Sequence, residues 1–291
     1  MAIYDCFQYF NEDHIVDLRM NILDKYVDYF VISESTKNHQ GKEKKINFKI
    51  ENFKKFEHKI NYILLDKLPK NLNKIDKSTI DHNKIIENAL KIEKKQRNMI
   101  SEGIASASAD DLIFFSDVDE IPNLESFEYK NRITVFKQKM MYYKFNLMYP
   151  NFTWMGTKAC KKKFFKSAEW LRNIKSKKYP WWRLDTLISE KKFSDISFVE
   201  NGGWHFTNVK SAEGIDFKMR NFAHHVEYEE SGMDVNNLKK NIEDKTVFYN
   251  HLADKTAANK HSSQIKLEKI NLALLPSYIG NNLETYKDWI D

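Results

Sequence analysis

Short apolar runs along the chain alternate with stretches in which hydrophobic residues recur every three or four positions, the signature of strands followed by helices. Residues 3–7 predict a buried strand. Asn11 or Asp13 then predicts the cap of a helix over 12–23, with Ile15, Leu18, Ile22 and Leu23 on one face. Residues 29–32 predict a second buried strand that ends at Ser33-Glu34-Ser35, and 62–65 a third. A long helix is predicted over 83–104, supported by Ile85, Ile86, Ala89, Leu90 and Ile100. Residues 112–115 form a fourth apolar run that leads straight into Ser116-Asp117-Val118-Asp119-Glu120-Ile121-Pro122. Strands alternating with helices predict an α/β fold whose sheet is mostly parallel and flanked by helices.

The second half is less regular. Strands are predicted at 133–136 and 140–145, followed by an aromatic and basic stretch through Trp182. Ser197-Phe198-Val199 then leads into Asn201-Gly202-Gly203-Trp204-His205-Phe206. Beyond Ser211 the pattern is mainly helical, with a last helix predicted over 262–275 and stopped by Pro276.

Composition narrows the partners. Within 291 residues, 42% hydrophobic and 14% aromatic content supplies one large core, and a formal charge of +6 suits an anionic ligand without demanding one. The lysine-rich runs are interleaved with acids and carry no recognition motif, so they read as solvated surface and no nucleic acid is implied. Cys6 and Cys160 are too few for a disulfide framework or a thiolate metal site. No run approaches the ~18 apolar residues of a membrane span. The expectation is a cytoplasmic protein, at most peripheral to a membrane.

The acidic run carries the chemistry. If the strand stays extended, Asp117 and Asp119 project to the same side. They would stand at the carboxyl end of a strand, where α/β sheets open onto ligands. Two carboxylates there suit Mn2+ or Mg2+, which take oxygen ligands and are completed by substrate phosphates and water. An isolated Asp-x-Asp is equally a solvated turn. The apolar strand before it, Glu120 as a third acid and Pro122 as a turn-former favour a site. A haloacid dehalogenase-type phosphatase also sets Asp-x-Asp after a strand, but with different following residues.

Three blocks together resemble glycosyltransferase family 17, which includes the animal enzyme that adds the bisecting N-acetylglucosamine to N-glycans. The first runs from Tyr4-Asp5-Cys6-Phe7 through Asp17-Leu18-Arg19 to Val27-Asp28-Tyr29-Phe30-Val31-Ile32-Ser33-Glu34-Ser35, with Gly41 and Phe48 beyond. The second runs from Asp110 to Pro122, and the third is Gly203-Trp204-His205-Phe206 with Ala212-Glu213-Gly214-Ile215. The resemblance implies a GT-A-like, Rossmann-like fold, a UDP-sugar donor such as UDP-N-acetylglucosamine, and inverting transfer. It implies one catalytic domain: a nucleotide-sugar half over 1–122, an acceptor and catalytic half over 123–225, and a helical C-terminal extension over 226–291. Animal members carry an N-terminal anchor not seen here, so a stand-alone domain acting on a glycan or glycolipid acceptor is expected.

Roles follow from the resemblance and from residue chemistry. Asp117 and Asp119 are assigned to the metal and diphosphate, and His205 to the metal, with Gly202-Gly203 letting backbone approach a ligand. Glu120 either bonds a metal-bound water or the sugar, or caps the turn. Arg97 and Asn98 suit the uridine, ribose or diphosphate, since Arg grips phosphate bidentately. Glu34 either meets the nucleotide or only ends its strand. Inverting transfer needs a carboxylate base, for which Glu213 and Asp185 are the candidates. His224 and His225 are weaker ligand candidates. Trp154, Trp170, Trp181, Trp182, Tyr142, Tyr143 and Phe152 are candidates for an acceptor platform, one or two being expected to serve and the rest to pack the core. A non-catalytic glycan-binding protein and a metal-dependent phosphohydrolase are the alternatives.

Overall fold

The computed structural model describes residues 1–76, 81–223, 225–247, 249–252 and 264–291. The chain begins with β1 (Ile3–Gln8), α1 (Asp13–Leu23), β2 (Tyr29–Ser35) and, after a 3-10 segment (Ile50–Lys59), β3 (Ile60–Leu65). It continues with α2 (His82–Asn98), α3 (Ile100–Gly103), β4 (Leu112–Ser116), β5 (Glu120–Pro122), β6 (Ile133–Tyr142) and β7 (Leu147–Lys161). Next come α4 (Ala168–Asn173), α5 (Asp185–Ile188), β8 (Ile196–Val199), β9 (Gly203–Thr207), α6 (Ala212–Asn221), α7 (His225–Glu230) and α8 (Val235–Glu243). The C-terminal part holds β10 (Thr246–Val247), β11 (Ile265–Lys266), β12 (Glu268–Lys269), α9 (Ser277–Asn281) and α10 (Leu283–Tyr286).

The main sheet runs β3-β2-β1-β4-β7-β6-β9-β5, with β12 beside β7 and β8 beside β6. β3, β2, β1 and β4 are parallel, β7 joins antiparallel, and β6 pairs in parallel with β9. This is the expected mixed, mostly parallel α/β sheet of a GT-A-like fold. Strand alternation sorts its side chains between two layers. Leu112 and Phe114 face the layer that holds Ile15 and Leu18 of α1, while Ile113 and Phe115 face the one built on Ile100, Trp170 and Leu171.

Several sequence expectations need correction. The helix over 83–104 is broken at Met99 into α2 and α3. The helix start near residue 12 has neither Asn11 nor Asp13 as its cap: Glu12 stands there, and its carboxylate accepts from the backbone N–H groups of Phe10 and Asn11. The strand at 133–136 and the first part of the one at 140–145 merge into β6, which ends at Tyr142, and the aromatic stretch after them begins with β7, a strand of 15 residues. Of the helix expected over 262–275, residues 262 and 263 lie outside the described residues. The remainder is β11, β12 and a 3-10 turn (Leu272–Leu274), because Ile265 pairs with Val247 and Glu268 with Met148.

Gly202 and Gly203 also differ from expectation. They admit neighbouring strands rather than a ligand. A Cβ on Gly203, whose φ is +116°, would fall 2.1 Å from the Ile121 carbonyl oxygen, and one on Gly202 would fall 2.6 Å from the Lys137 nitrogen. β9 is thus pressed against β5 on one side and β6 on the other.

Candidate active site

The acidic motif is a tight turn rather than an extended strand end. β4 stops at Ser116, the Glu120 N–H donates to the Asp117 carbonyl (3.0 Å), and Pro122 lies within β5, paired with Gly203. Arg19 of α1 lies beneath this turn, fully buried. Its Nε and Nη2 donate to the two carboxylate oxygens of Asp5 on β1 (2.6 and 2.5 Å), and Nη2 also to Ser116 Oγ (2.6 Å). Its Nη1 donates to the carbonyls of Asp117 (3.3 Å), Val118 (3.2 Å) and Glu120 (2.7 Å). A guanidinium has five N–H donors in one plane, so a single side chain fixes the turn's backbone.

Each acid of the turn meets a cation. Asp117 accepts from Arg172 Nη2 of α4 (2.7 Å). Asp119 is buried between Lys218 Nζ of α6 (3.3 Å) and His205 Nε2 of β9 (3.4 Å). Burial alone would raise the Asp119 carboxyl, but the Lys218 ammonium and the His205 ring outweigh it and hold it well below the usual range. Lys218 also stands 3.6 Å from Glu12 Oε1, an oxygen with no hydrogen-bond partner. Glu120 is buried behind Asp117. Its carboxylate accepts from the Asp117 N–H (3.2 Å) and Trp154 Nε1 (2.6 Å), and burial pushes its carboxyl up despite Arg172 at 3.4 Å.

These groups open onto a cleft of about 1230 Å³, ample for a nucleotide sugar and part of an acceptor. Asp117, Asp119 and His205 line it together with Arg97, Arg172 and Lys218. Arg97 is paired with Glu93 (2.7 Å) and Glu169. An aromatic wall adjoins them. Tyr142, Tyr143, Phe152 and Trp154 all line the cleft, more than the one or two expected, and the Trp154 ring lies 4.8 Å from that of His205. Trp170 is packed in the core, whereas Trp181 and Trp182 are exposed elsewhere.

Other sequence candidates fall outside the cleft lining. Glu34 is fully buried and holds the loop after β2, accepting from the N–H groups of Asn47 (2.8 Å) and Phe48 (3.1 Å), from Tyr62 Oη (2.9 Å) and from Lys44. Asn98 accepts from the Glu169 N–H (3.0 Å) at the start of α4. Glu213 is exposed and paired with Lys239 (2.8 Å), and Asp185 is held by Arg183 (2.7 Å) and Lys192 (2.8 Å). Neither candidate base therefore faces the cleft, because surface lysines and arginine engage both carboxylates away from it. His225 is buried against the Phe222 carbonyl, and His224 lies outside the described residues.

No sequence motif marks Arg172 or Lys218 as partners of the turn, and Asp5 and Arg19 stand in the first family block without a role assigned from sequence. Arg172 has a support of its own. Lys158 of β7, buried, donates to the carbonyls of Arg172 (2.6 Å) and Ile174 (2.5 Å) at the end of α4. Burial, with Arg172 nearby, lowers the Lys158 ammonium to about 7 from its ordinary 10.5. Between those two values the unfolded chain binds the proton more readily than the folded one, so this residue makes stability rise with pH across that window. Denaturant unfolding of the Lys158→Met variant should lack that rise. An identical pH dependence in both proteins would exclude a depressed Lys158.

The turn suits a hard divalent cation in part. Asp119 Oδ1 and His205 Nε2 face each other at 3.4 Å, a carboxylate oxygen and an imidazole nitrogen directed at one point, while the unpartnered His205 Nδ1 lies on the other edge of the ring. Among the described residues no three His, Cys, Asp or Glu side chains form a metal cage, so a cation here would draw the rest of its shell from substrate oxygens and water.

No curated protein matches the sequence. The sequence profile of glycosyltransferase family 17, the bisecting N-acetylglucosamine transferase family, matches residues 1–290, essentially the entire chain. With that coverage, and with a mixed α/β sheet that delivers an acidic turn to a large cleft, the chain belongs to glycosyltransferase family 17.

Proposed function

We propose that the cleft binds a UDP-sugar, UDP-N-acetylglucosamine in the first instance, and transfers the sugar with inversion to a hydroxyl of a glycan or glycolipid. The observation that carries this reading is the pairing at the end of β4 of an acidic turn with two cleft-lining cations, Arg172 and Lys218, with a third, Arg97, on the same lining. A diphosphate needs cations close by, and guanidinium and ammonium groups already desolvated against carboxylates can turn to it with little reorganisation. Asp119 and His205 are the residues that would hold Mn2+ or Mg2+. The metal would act as a Lewis acid on the leaving diphosphate.

In the transfer itself the acceptor oxygen attacks the anomeric carbon, the bond to the diphosphate breaks, and a carboxylate takes the hydroxyl proton. With Glu213 and Asp185 outside the cleft, the base is assigned to Glu227 of α7, the exposed carboxylate among the described cleft-lining acids. The aromatic wall offers ring faces to the C–H surfaces of the acceptor sugar.

A heat-shift screen of UDP-sugars with and without manganese tests the reading. A donor at about 100 times its dissociation constant adds about 2.7 kcal/mol of stability, a shift of several degrees. UDP-N-acetylglucosamine with manganese should give the largest rise. If no UDP-sugar moves the transition, the donor assignment fails, and sugar binding untouched by chelator and by UDP would favour a glycan-binding role instead.

A further inference from the structure

The segment between α4 and β8 carries chemistry that the cleft does not use. Residues 174–192 form a protrusion closed at its base, where the Lys175 N–H donates to the Lys191 carbonyl (2.8 Å) and Trp170 Nε1 to the Glu190 carbonyl (2.8 Å). Within it Tyr179 is buried, the Arg183 guanidinium lies 5.3 Å from the Tyr179 ring centre, and Asp185 is clamped by Arg183 and Lys192. The protrusion is therefore ordered by its own contacts.

Its outer surface is nonetheless apolar. Trp181, Trp182, Leu184, Leu187 and Ile188 fall within eight residues, with exposure running from 65% at Trp182 to 88% at Ile188. Contiguous large apolar side chains held out in water mark an interaction surface. Charge identifies the partner. The same segment carries Lys175, Lys177, Lys178, Arg183, Lys191 and Lys192 against only Asp185 and Glu190. Tryptophan and aliphatic side chains within a basic surround match the boundary of an anionic bilayer, where rings settle at headgroup depth and ammonium groups meet lipid phosphate.

We propose that residues 174–192 dock the protein on membranes containing anionic lipid. The protrusion leaves directly from α4, whose Arg172 and Asn173 line the cleft, so docking keeps the cleft within one short helix of the lipid surface. Taken with the transferase reading, on which this clause alone rests, that favours a lipid-linked acceptor.

The test uses the full chain, without donor, in co-sedimentation with vesicles of phosphatidylcholine and phosphatidylglycerol or of phosphatidylcholine alone. The protein should sediment with the anionic vesicles, less so as salt rises, with a blue shift in tryptophan emission. A Leu187→Ser, Ile188→Ser double variant should partition about tenfold more weakly or worse. A Lys177→Glu, Lys178→Glu variant should lose the preference for anionic vesicles. All four residues lie outside the cleft lining, and the unchanged thermal midpoint and far-ultraviolet circular dichroism expected of both variants certify their fold. Failure of the unaltered chain to bind anionic vesicles overturns the proposal, as does undiminished binding by the Leu187→Ser, Ile188→Ser variant. Self-association in sedimentation velocity, abolished by that variant and without vesicle binding, would instead make a second copy of the chain the occupant. A failed donor screen would leave vesicle binding as it is, and the reverse also holds.

Discussion

Asp119→Asn should lower the transfer rate by about 10²- to 10³-fold, the usual cost of removing one group that stabilises charge in a transition state. The substitution keeps the side chain's shape and leaves in place the backbone bond from the Phe206 N–H to the Asp119 carbonyl (2.8 Å), so β9 stays docked on the turn. What it removes is the negative charge shared by Lys218 and His205. Lys218 keeps Glu12 as a partner, and the loss of a charge-assisted bond should cost about 1.5–3 kcal/mol of stability without unfolding the protein. The measurement is turnover with and without manganese, beside a far-ultraviolet circular dichroism spectrum. Full activity in a folded variant would remove Asp119 from the site, and an equal loss with and without manganese would separate it from any metal.

Arg19→Met should be the most damaging single substitution for stability, at about 3–5 kcal/mol, because it strands the buried Asp5 carboxylate without its partner. The Arg19 side chain also satisfies three carbonyls of the acidic turn, so the turn should slacken with it. Denaturant midpoints of Arg19→Met, Asp5→Asn and the double variant form a cycle. The double variant should lose less than the sum of the singles, since neither charge is then left alone. An Arg19→Met protein within 1 kcal/mol of the unaltered chain would mean that the turn holds its shape unaided.

The parts of the fold that could be read from sequence were those whose burial is uniform. β1, β2 and β4 are apolar runs covered on both faces, and the family blocks around them point to the same sheet. β7 has no clear sequence signature because Pro150, Asn151 and Gly156 interrupt it and its burial is irregular, so neither alternation nor a continuous apolar run appears. The final helix does not form because Ile265 and Leu267 alternate as in a short strand, and pairing with β10 and β7 holds β11 and β12 extended.

The site divides along a similar line. Asp117 and Asp119 stand out because they directly follow an apolar strand. Their partners come from α1, α4, β9 and α6, and only the family block singled out His205. A lysine in a helix or an arginine in a basic stretch looks the same whether solvated or buried against a carboxylate. Glu34 shows the converse: an acid at a strand's carboxyl end, where ligands often bind, is spent on the backbone of the next loop.

The crowding around Gly203 bears on how the Asp119–His205 pair is spaced. β5 and β9 are paired Glu120 to His205, Ile121 to Trp204 and Pro122 to Gly203. Sliding β9 one residue one way would set a phenyl ring where the imidazole now stands and bring the Trp204 Cβ against the Ile121 carbonyl; sliding it the other way would set an indole there and bring the Asn201 Cβ against the Lys137 nitrogen, where only glycine clears. The backbone thus works as an alignment key. The spacing of the two side chains is set when the strands pair during folding, before any donor arrives.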